Sequence, residues 1–242
     1  MSLSRDAWNK VTDLNHPEGF TLGPVNAATW LRDPRHMGFM LARYKFAAKM
    51  MRRCTAILEV GCGEGLGAFL LVRDTPARVL GVDFDAAQIG YARQHLEPHG
   101  QGRLSFLCGD AAEQAQASGP FDGLLCLDVI EHVEPRDERR FLENCVKPLQ
   151  PGAVAIFGTP NIASDAFASP PSRAGHINLF SPERFAATLE EHFFQVFPFS
   201  MNDEMVHTGY AKMAHYLLAL CVRRGDEGHA SAAPETDSSR RS

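Results

Sequence analysis

Glu59-Val60-Gly61-Cys62-Gly63-Glu64-Gly65 follows directly on the apolar run that begins at Ala56 and leads into the amphipathic stretch that starts near Leu66. Glycines in this loop let the backbone turn tightly and approach a ligand closely, and the helix after it offers free N–H groups. A plain strand-to-helix turn needs one glycine, not three alternating ones. The spacing also differs from the G-x-G-x-x-G that sets a pyrophosphate on a helix N-terminus.

On either side of this loop, short apolar runs alternate with amphipathic stretches, the pattern of βαβ units around a parallel sheet. Strands are expected at 56–60, 78–82, 103–108, 123–127 and 153–158, and helices at 65–73, 86–96, 110–116 and 136–146. Upstream, Asp33 caps and Pro34 starts a helix in which Met37, Met40, Leu41, Tyr44, Ala48 and Met51 recur at helical spacing. Downstream, Ser181 caps a helix over 182–191. Segments 193–199 and 211–222 read as a final antiparallel pair joined by a polar loop, 201–209.

With 242 residues, 45% of them apolar and 22% charged, the chain is long enough for one decorated domain with a full core. Its net charge of −5 disfavours a surface built to neutralise phosphates. The six cysteines form no CxxC pair and most sit in apolar surroundings, which points to a reducing compartment and a cytoplasmic protein. No stretch has the ~18 apolar residues of a membrane helix. The first thirty-four residues, broken by Pro17, Gly19, Gly23 and Pro24, read as an arm, and 224–242 as a disordered tail.

Three further strand ends carry acids. Asp83 closes the second strand, where a carboxylate can accept from both ribose hydroxyls. Asp110 closes the third, and Asp128-Val129-Ile130-Glu131-His132-Val133 closes the fourth. Four polar strand ends in succession fall on the edge where doubly wound sheets bind ligands.

Together these residues resemble the class I S-adenosylmethionine-dependent methyltransferases, over roughly residues 43–223. The runs 60–66 and 128–133 are similar to the small-molecule branch that includes the ubiquinone O-methyltransferases. The resemblance implies a doubly wound, Rossmann-like α/β domain over 35–223. Its seven strands would take the order 3-2-1-4-5-7-6, with only the seventh antiparallel, and its cofactor would be S-adenosylmethionine. It further implies that Gly61, Gly63 and Gly65 pass under the methionine and ribose, with Glu59 setting the loop. Asp83 would hold the ribose hydroxyls, Asp110 and the Ala111 N–H would meet the adenine, and Asp128 would lie near the methionine amine or the acceptor. Arg43 or Tyr44, on the helix that covers the cofactor in related enzymes, would meet the methionine carboxylate, although core packing explains Tyr44 nearly as well.

Methyl transfer to a hydroxyl needs alignment, exclusion of water and a base. His132 follows the fourth strand, with Glu131 beside it, and His176 sits in Gly175-His176-Ile177-Asn178 within the long polar segment 159–180. His176 is the better candidate for the base or acceptor contact, because Gly175-His176-Ile177-Asn178 resembles the Gly-His-x-Asn segments of methyltransferases associated with sugars and polar natural products, and long segments between elements usually carry function. Arg173 suits an anionic acceptor group and Asn178 a polar one. Ser169-Pro170-Pro171-Ser172 lacks the aromatic of the DNA amino-methyltransferase tetrad and carries no such chemistry. Asp128, His132 and His176 could converge on a metal, but their spacing gives no proof of one and no metal ligand is assigned.

The expected function is O-methylation of a small polar acceptor, a sugar or an oxygenated metabolite, with a histidine base and with neither nucleic acid nor membrane as partner. N-methylation of a small molecule and a non-catalytic cofactor-binding protein stand as alternatives. A nicotinamide dehydrogenase shares the acid after the second strand but not the glycine spacing.

Overall fold

The computed structural model describes residues 3–13, 21–113, 115, 117 and 119–225. The chain runs through α1 (Leu3–Asp13), α2 (Pro24–Arg32) and α3 (Pro34–Met50). It then alternates through β1 (Ala56–Val60), α4 (Leu66–Asp74), β2 (Arg78–Asp83), α5 (Ala86–His95), β3 (Leu104–Cys108) and β4 (Phe121–Leu127). After these come α6 (Glu138–Val146), β5 (Leu149–Pro160), α7 (Pro170–Gly175), α8 (Pro182–Glu190), β6 (Gln195–Asn202), β7 (Met205–His207) and β8 (Tyr216–Val222).

The central strands read as continuous apolar runs because both faces of the sheet are covered. Successive side chains point to opposite faces. Ile57, Leu125 and Leu127 join a core with Ala48 of α3, Leu71 of α4 and Ile89 of α5. Leu58, Leu124 and Cys126 join a second core with Phe141 and Leu142 of α6 and Phe185 and Leu189 of α8.

The sheet has the order β3-β2-β1-β4-β5-β8-β6-β7. Pairing is parallel from β3 through β5, whereas β8 runs antiparallel to both β5 and β6. The expected order with an antiparallel last strand is therefore present, and β7 extends it by one strand. It arises where a polar loop was expected, because the chain reverses at Asp203, with φ of +50°, and folds back on β6. The last strand starts at Tyr216 and not at Ala211, since residues 211–213 form a short 3-10 turn.

Two local expectations change. No helix forms over 110–113, because Asp110 Oδ1 accepts from the Ala112 N–H at 2.8 Å, a side-chain turn that competes with helix; residues 114 and 116 lie outside the described residues. The arm carries regular structure in α1 and α2, and α2 packs on α3. Pro17 and Gly19 lie outside the described residues, as does the tail from 226 onward. Gly23-Pro24 is a helix start and not a break: Pro24 occupies the first turn, where its missing N–H costs nothing.

The N-terminus of α2 is capped from a distant part of the chain. The Glu64 carboxylate, from the glycine loop, accepts from the N–H groups of Val25 and Asn26 at 2.7 and 2.9 Å and from Asn26 Nδ2 at 2.8 Å. These bonds satisfy donors that a helix start leaves free, and the negative charge complements the helix dipole. No helix among the described residues is long and apolar enough to cross a membrane.

Candidate active site

Strand order reverses between β1 and β4, so the connections leave in opposite directions and open a crevice beyond the carboxyl ends of the strands. A cleft of about 580 Å³ lies there, within the range of small-ligand sites. Gly61, Asp83, Phe84, Asp110, Asp128 and His132 are among its walls.

Its floor is the glycine loop. The N–H groups of Gly61 and Cys62 both bond the Val82 carbonyl, at 2.8 and 3.1 Å, which draws the loop across the end of β2. Gly61 has φ of +78°, and a Cβ there would overlap Val129 Cγ2. Gly65, with φ of +82°, starts α4, and a Cβ on it would stand 2.5 Å from the Phe106 ring. Both the left-handed backbone and the close neighbours thus exclude larger residues at these two positions.

Asp83 ties this loop to the next. Its Oδ2 accepts from the Gly63 N–H at 2.8 Å and its Oδ1 from the Asp85 N–H at 2.9 Å. A carboxylate has about four lone-pair sites, so each oxygen keeps acceptor capacity toward the cleft. Beside it Phe84 is 75% exposed and lines the cleft with a flat apolar face. The signal for Phe84 in the sequence is an aromatic directly after a strand-ending acid. Asp110 and Ala111 line the same wall, and the Ala111 carbonyl is held by Asn144 Nδ2 at 2.9 Å.

Asp128 occupies the left-handed region, with φ of +56°, and its Oδ2 lies 2.6 Å from Arg43 Nη1. Arg43 is buried and stacks its guanidinium 3.6 Å over the Tyr216 ring. The two expected cofactor contacts on α3 therefore part company. Arg43 reaches the cleft edge through Asp128, whereas Tyr44 belongs to the core, its ring against Gly67 and its hydroxyl bonded to Glu59.

Glu59 is fully buried under the loop and its Oε2 has no hydrogen-bond partner. Burial pushes its carboxyl up to about 7, against the Tyr44 hydrogen bond and with help from the charge of Asp83. The folded state thus holds the proton more tightly than an ordinary carboxyl of 4.5. The contribution of this group to stability is fully present below pH 4.5 and is lost as pH rises toward 7, by up to about 3 kcal/mol. Glu59→Gln removes that titration, so thermal stability of the cofactor-free variant should lose its fall between pH 5 and about 7. A variant whose melting temperature tracks the parent across this range contradicts the assignment.

Next to His132 in sequence, Glu131 is fully buried; its Oε2 accepts from Thr159 Oγ1 at 3.0 Å and its Oε1 has no partner. Burial, reinforced by the charge of Asp128, raises its carboxyl to about 8. His132 next to it lines the cleft, with Nδ1 2.8 Å from the Gly175 carbonyl oxygen. The His176 ring stands 5.2 Å from that of His132, centroid to centroid. Burial and then the neighbouring His132 lower the His176 pKa, which favours its neutral form.

The segment expected to be a long polar loop is built as a 3-10 turn over 162–167 and α7, which Ser169 caps by accepting from the Ser172 N–H. Asn178 does not face an acceptor: it is buried, with its N–H donating to the Glu131 carbonyl at 3.0 Å and its Nδ2 to Glu138 at 2.8 Å. Arg173 stands exposed on α7, away from the cleft walls. Sequence reasoning passes over Thr159 and Tyr216, because nothing in a strand interior marks a residue as partner to a site carboxylate or guanidinium.

Comparison with known proteins agrees with this geometry. A family described as a methyltransferase domain matches residues 57–152. A probable S-adenosylmethionine-dependent methyltransferase of Mycolicibacterium smegmatis is 34% identical over 115 residues, 47% of this chain and 42% of that protein. A ubiquinone biosynthesis O-methyltransferase of Maricaulis maris is 39% identical over 114 residues, 46% of this chain and 43% of that one. The matches thus span less than half the length of these relatives. Among solved structures, the methyltransferase domain of bacterial CtHen1-C superposes with a TM-score of 0.64 at 16% identity, covering 77% of this chain and 99% of that one. Over residues 57–152 the chain thus matches a methyltransferase domain and is similar to S-adenosylmethionine-dependent methyltransferases.

Proposed function

We propose that the protein transfers the methyl group of S-adenosylmethionine to a hydroxyl of a small polar acceptor, a sugar or an oxygenated metabolite. The observation that carries this reading is one cleft lined by Gly61, the ribose-competent Asp83 and His132, with His176 packed against His132 at 5.2 Å between ring centroids. The match to the ubiquinone biosynthesis O-methyltransferase supports oxygen over nitrogen as the acceptor atom.

The residues fit the cofactor. Gly61 has no room for a Cβ, which leaves a backbone floor that a ligand can approach closely. Asp83 would accept from the ribose hydroxyls, while Asp110 and the Ala111 N–H would meet the adenine. Asp128, steadied by Arg43, would lie at the methionine end, with Glu59 beneath the loop. S-adenosylmethionine supplies an activated methyl group on a sulfonium. The rest is positioning: Val129 and Val133 give the cleft wall apolar surface, and His176, packed against His132, would activate the acceptor hydroxyl.

Calorimetric titration with S-adenosylhomocysteine, with NADH in parallel, tests the cofactor. A panel of sugars, phenols, amines and a short RNA with labelled S-adenosylmethionine then tests the acceptor. His176→Ala should lower turnover by about 100-fold while S-adenosylhomocysteine affinity stays within about twofold. Full turnover in that variant removes His176 from the site's chemistry. Labelling of amines or RNA alone overturns the small hydroxyl acceptor, and binding of S-adenosylhomocysteine with no turnover on any acceptor favours a cofactor-binding protein without catalysis.

A further inference from the structure

Acids wall the cleft at the carboxyl ends of the strands, whereas the amino ends of β1 and β2 are flanked by cations. The last turns of α3 and its link into β1 carry Lys45, Lys49, Arg52 and Arg53, and the α4–β2 connection adds Arg73 and Arg78. All six are exposed. The two segments lie side by side: the Arg78 N–H donates to the Thr55 carbonyl at 2.8 Å, Ala56 pairs with Arg78 in register, and α3 packs on α4. Arg103 holds the second segment, its Nη1 donating to the Thr75 and Ala77 carbonyls at 3.1 and 2.9 Å.

None of the six cations has a hydrogen bond or an ion pair through its side chain among the described residues. The chain does not lack acids, with 29 against 24 lysines and arginines. Elsewhere arginines are matched, Arg43 by Asp128, Arg139 by Glu143 and Arg184 by Glu138. At this end Asp122 spends its carboxylate on the N–H groups of Thr55 and Ala56, at 2.8 Å each. Asp74, next to Arg73, is the exposed acid of these segments. Like charges gathered in this way repel one another, and a partner of opposite sign relieves that repulsion.

We propose that this face docks an acidic segment of a partner protein. Four of the six cations are arginines, whose planar fork takes a carboxylate through two parallel hydrogen bonds. Met50, between Lys49 and Arg52 in the chain, is 43% exposed, and Met together with Arg is characteristic of protein interfaces. Single-stranded nucleic acid stacks on aromatic rings beside such cations, but among segments 45–56 and 66–78 the exposed large apolar residue is Met50 alone. A lipid surface takes up the apolar face of a helix, and α3 spends that face in the core through Tyr44, Ala47 and Ala48. The five residues of β1 put about 17 Å between this face and the cleft, so a docked partner leaves the cleft open. The surface therefore stands apart from the methyl-transfer reading.

The test titrates the full chain into labelled poly-L-glutamate and follows anisotropy. Single-stranded RNA of equal charge is the second probe, and vesicles of equal parts phosphatidylcholine and phosphatidylglycerol, read by sedimentation, are the third. Poly-L-glutamate should bind with micromolar affinity at low salt and more weakly as salt is added. Arg52→Gln/Arg53→Gln/Arg78→Gln should weaken that binding by about tenfold or more, whereas Arg5→Gln/Lys10→Gln on α1 binds as the parent does. All of these side chains are exposed, so an unchanged melting temperature accompanies the loss and separates it from misfolding. Absence of poly-L-glutamate binding, or equal binding by the triple variant, overturns the proposal. Tighter binding of RNA or of the vesicles than of poly-L-glutamate also overturns it and assigns the face to that polyanion.

Discussion

Asp83→Ala should weaken S-adenosylhomocysteine binding by about 100-fold or more. If Asp83 accepts from both ribose hydroxyls, two hydrogen bonds to a carboxylate are lost, each worth roughly 1.5–3 kcal/mol where the acceptor is charged, and about 1.4 kcal/mol is a factor of ten. The same carboxylate also holds the N–H groups of Gly63 and Asp85, so part of the loss would come from a relaxed loop. An analogue without the ribose hydroxyls separates the two contributions. If Asp83 accepts from those hydroxyls, the parent loses affinity for the analogue while the variant scarcely distinguishes it from S-adenosylhomocysteine. A loss below about fivefold on the variant, or equal discrimination by both proteins, would remove Asp83 from the ribose.

Asp128→Ala should destabilise the cofactor-free protein by about 3 kcal/mol, measured by chemical denaturation. Removing one member of a pair whose other member is buried leaves an uncompensated charge, typically at a cost of about 3–5 kcal/mol. The low end applies because the Asp128 side chain is 41% exposed, against 6% for Arg43. The backbone adds to this, since φ of +56° suits Asp and Asn better than Ala. Asp128→Asn keeps that tolerance and removes only the charge, so its loss measures the ion pair more cleanly. A cost under about 0.5 kcal/mol for Asn means that stacking on Tyr216 suffices to hold Arg43.

Parallel strands buried on both faces explain why β1 is legible to the residue: an apolar run bounded by Thr55 and Gly61 has few other readings. The acids at the strand ends were equally visible, because each follows such a run directly. Helix α2 is not legible in the sequence although its signal, a Pro in the first turn, is the one that identifies α3 and α8. Its cap is supplied by Glu64, forty residues along the chain, and no local pattern reveals that. Ser169-Pro170 carries the same start signal, and it opens the short α7. The helix expected over 110–116 gives way to a side-chain turn because Asp offers its backbone an alternative partner. In the site, what the sequence leaves illegible is tertiary. His132 and His176 meet across forty-four positions, Glu131 is buried although it adjoins an exposed histidine, and Asn178 spends its amide on holding the segment in place.

The carboxylate that joins Glu64 to α2 also gives the protein an optical handle. Trp30, one of only two tryptophans in the chain, lies on that helix and is half exposed. Because the helix start hangs on a residue between Gly63 and Gly65, a shift of the loop changes the surroundings of this indole. With Trp8→Phe removing the other indole, a change in Trp30 emission when S-adenosylhomocysteine is added is the expected optical sign that the loop and α2 move together.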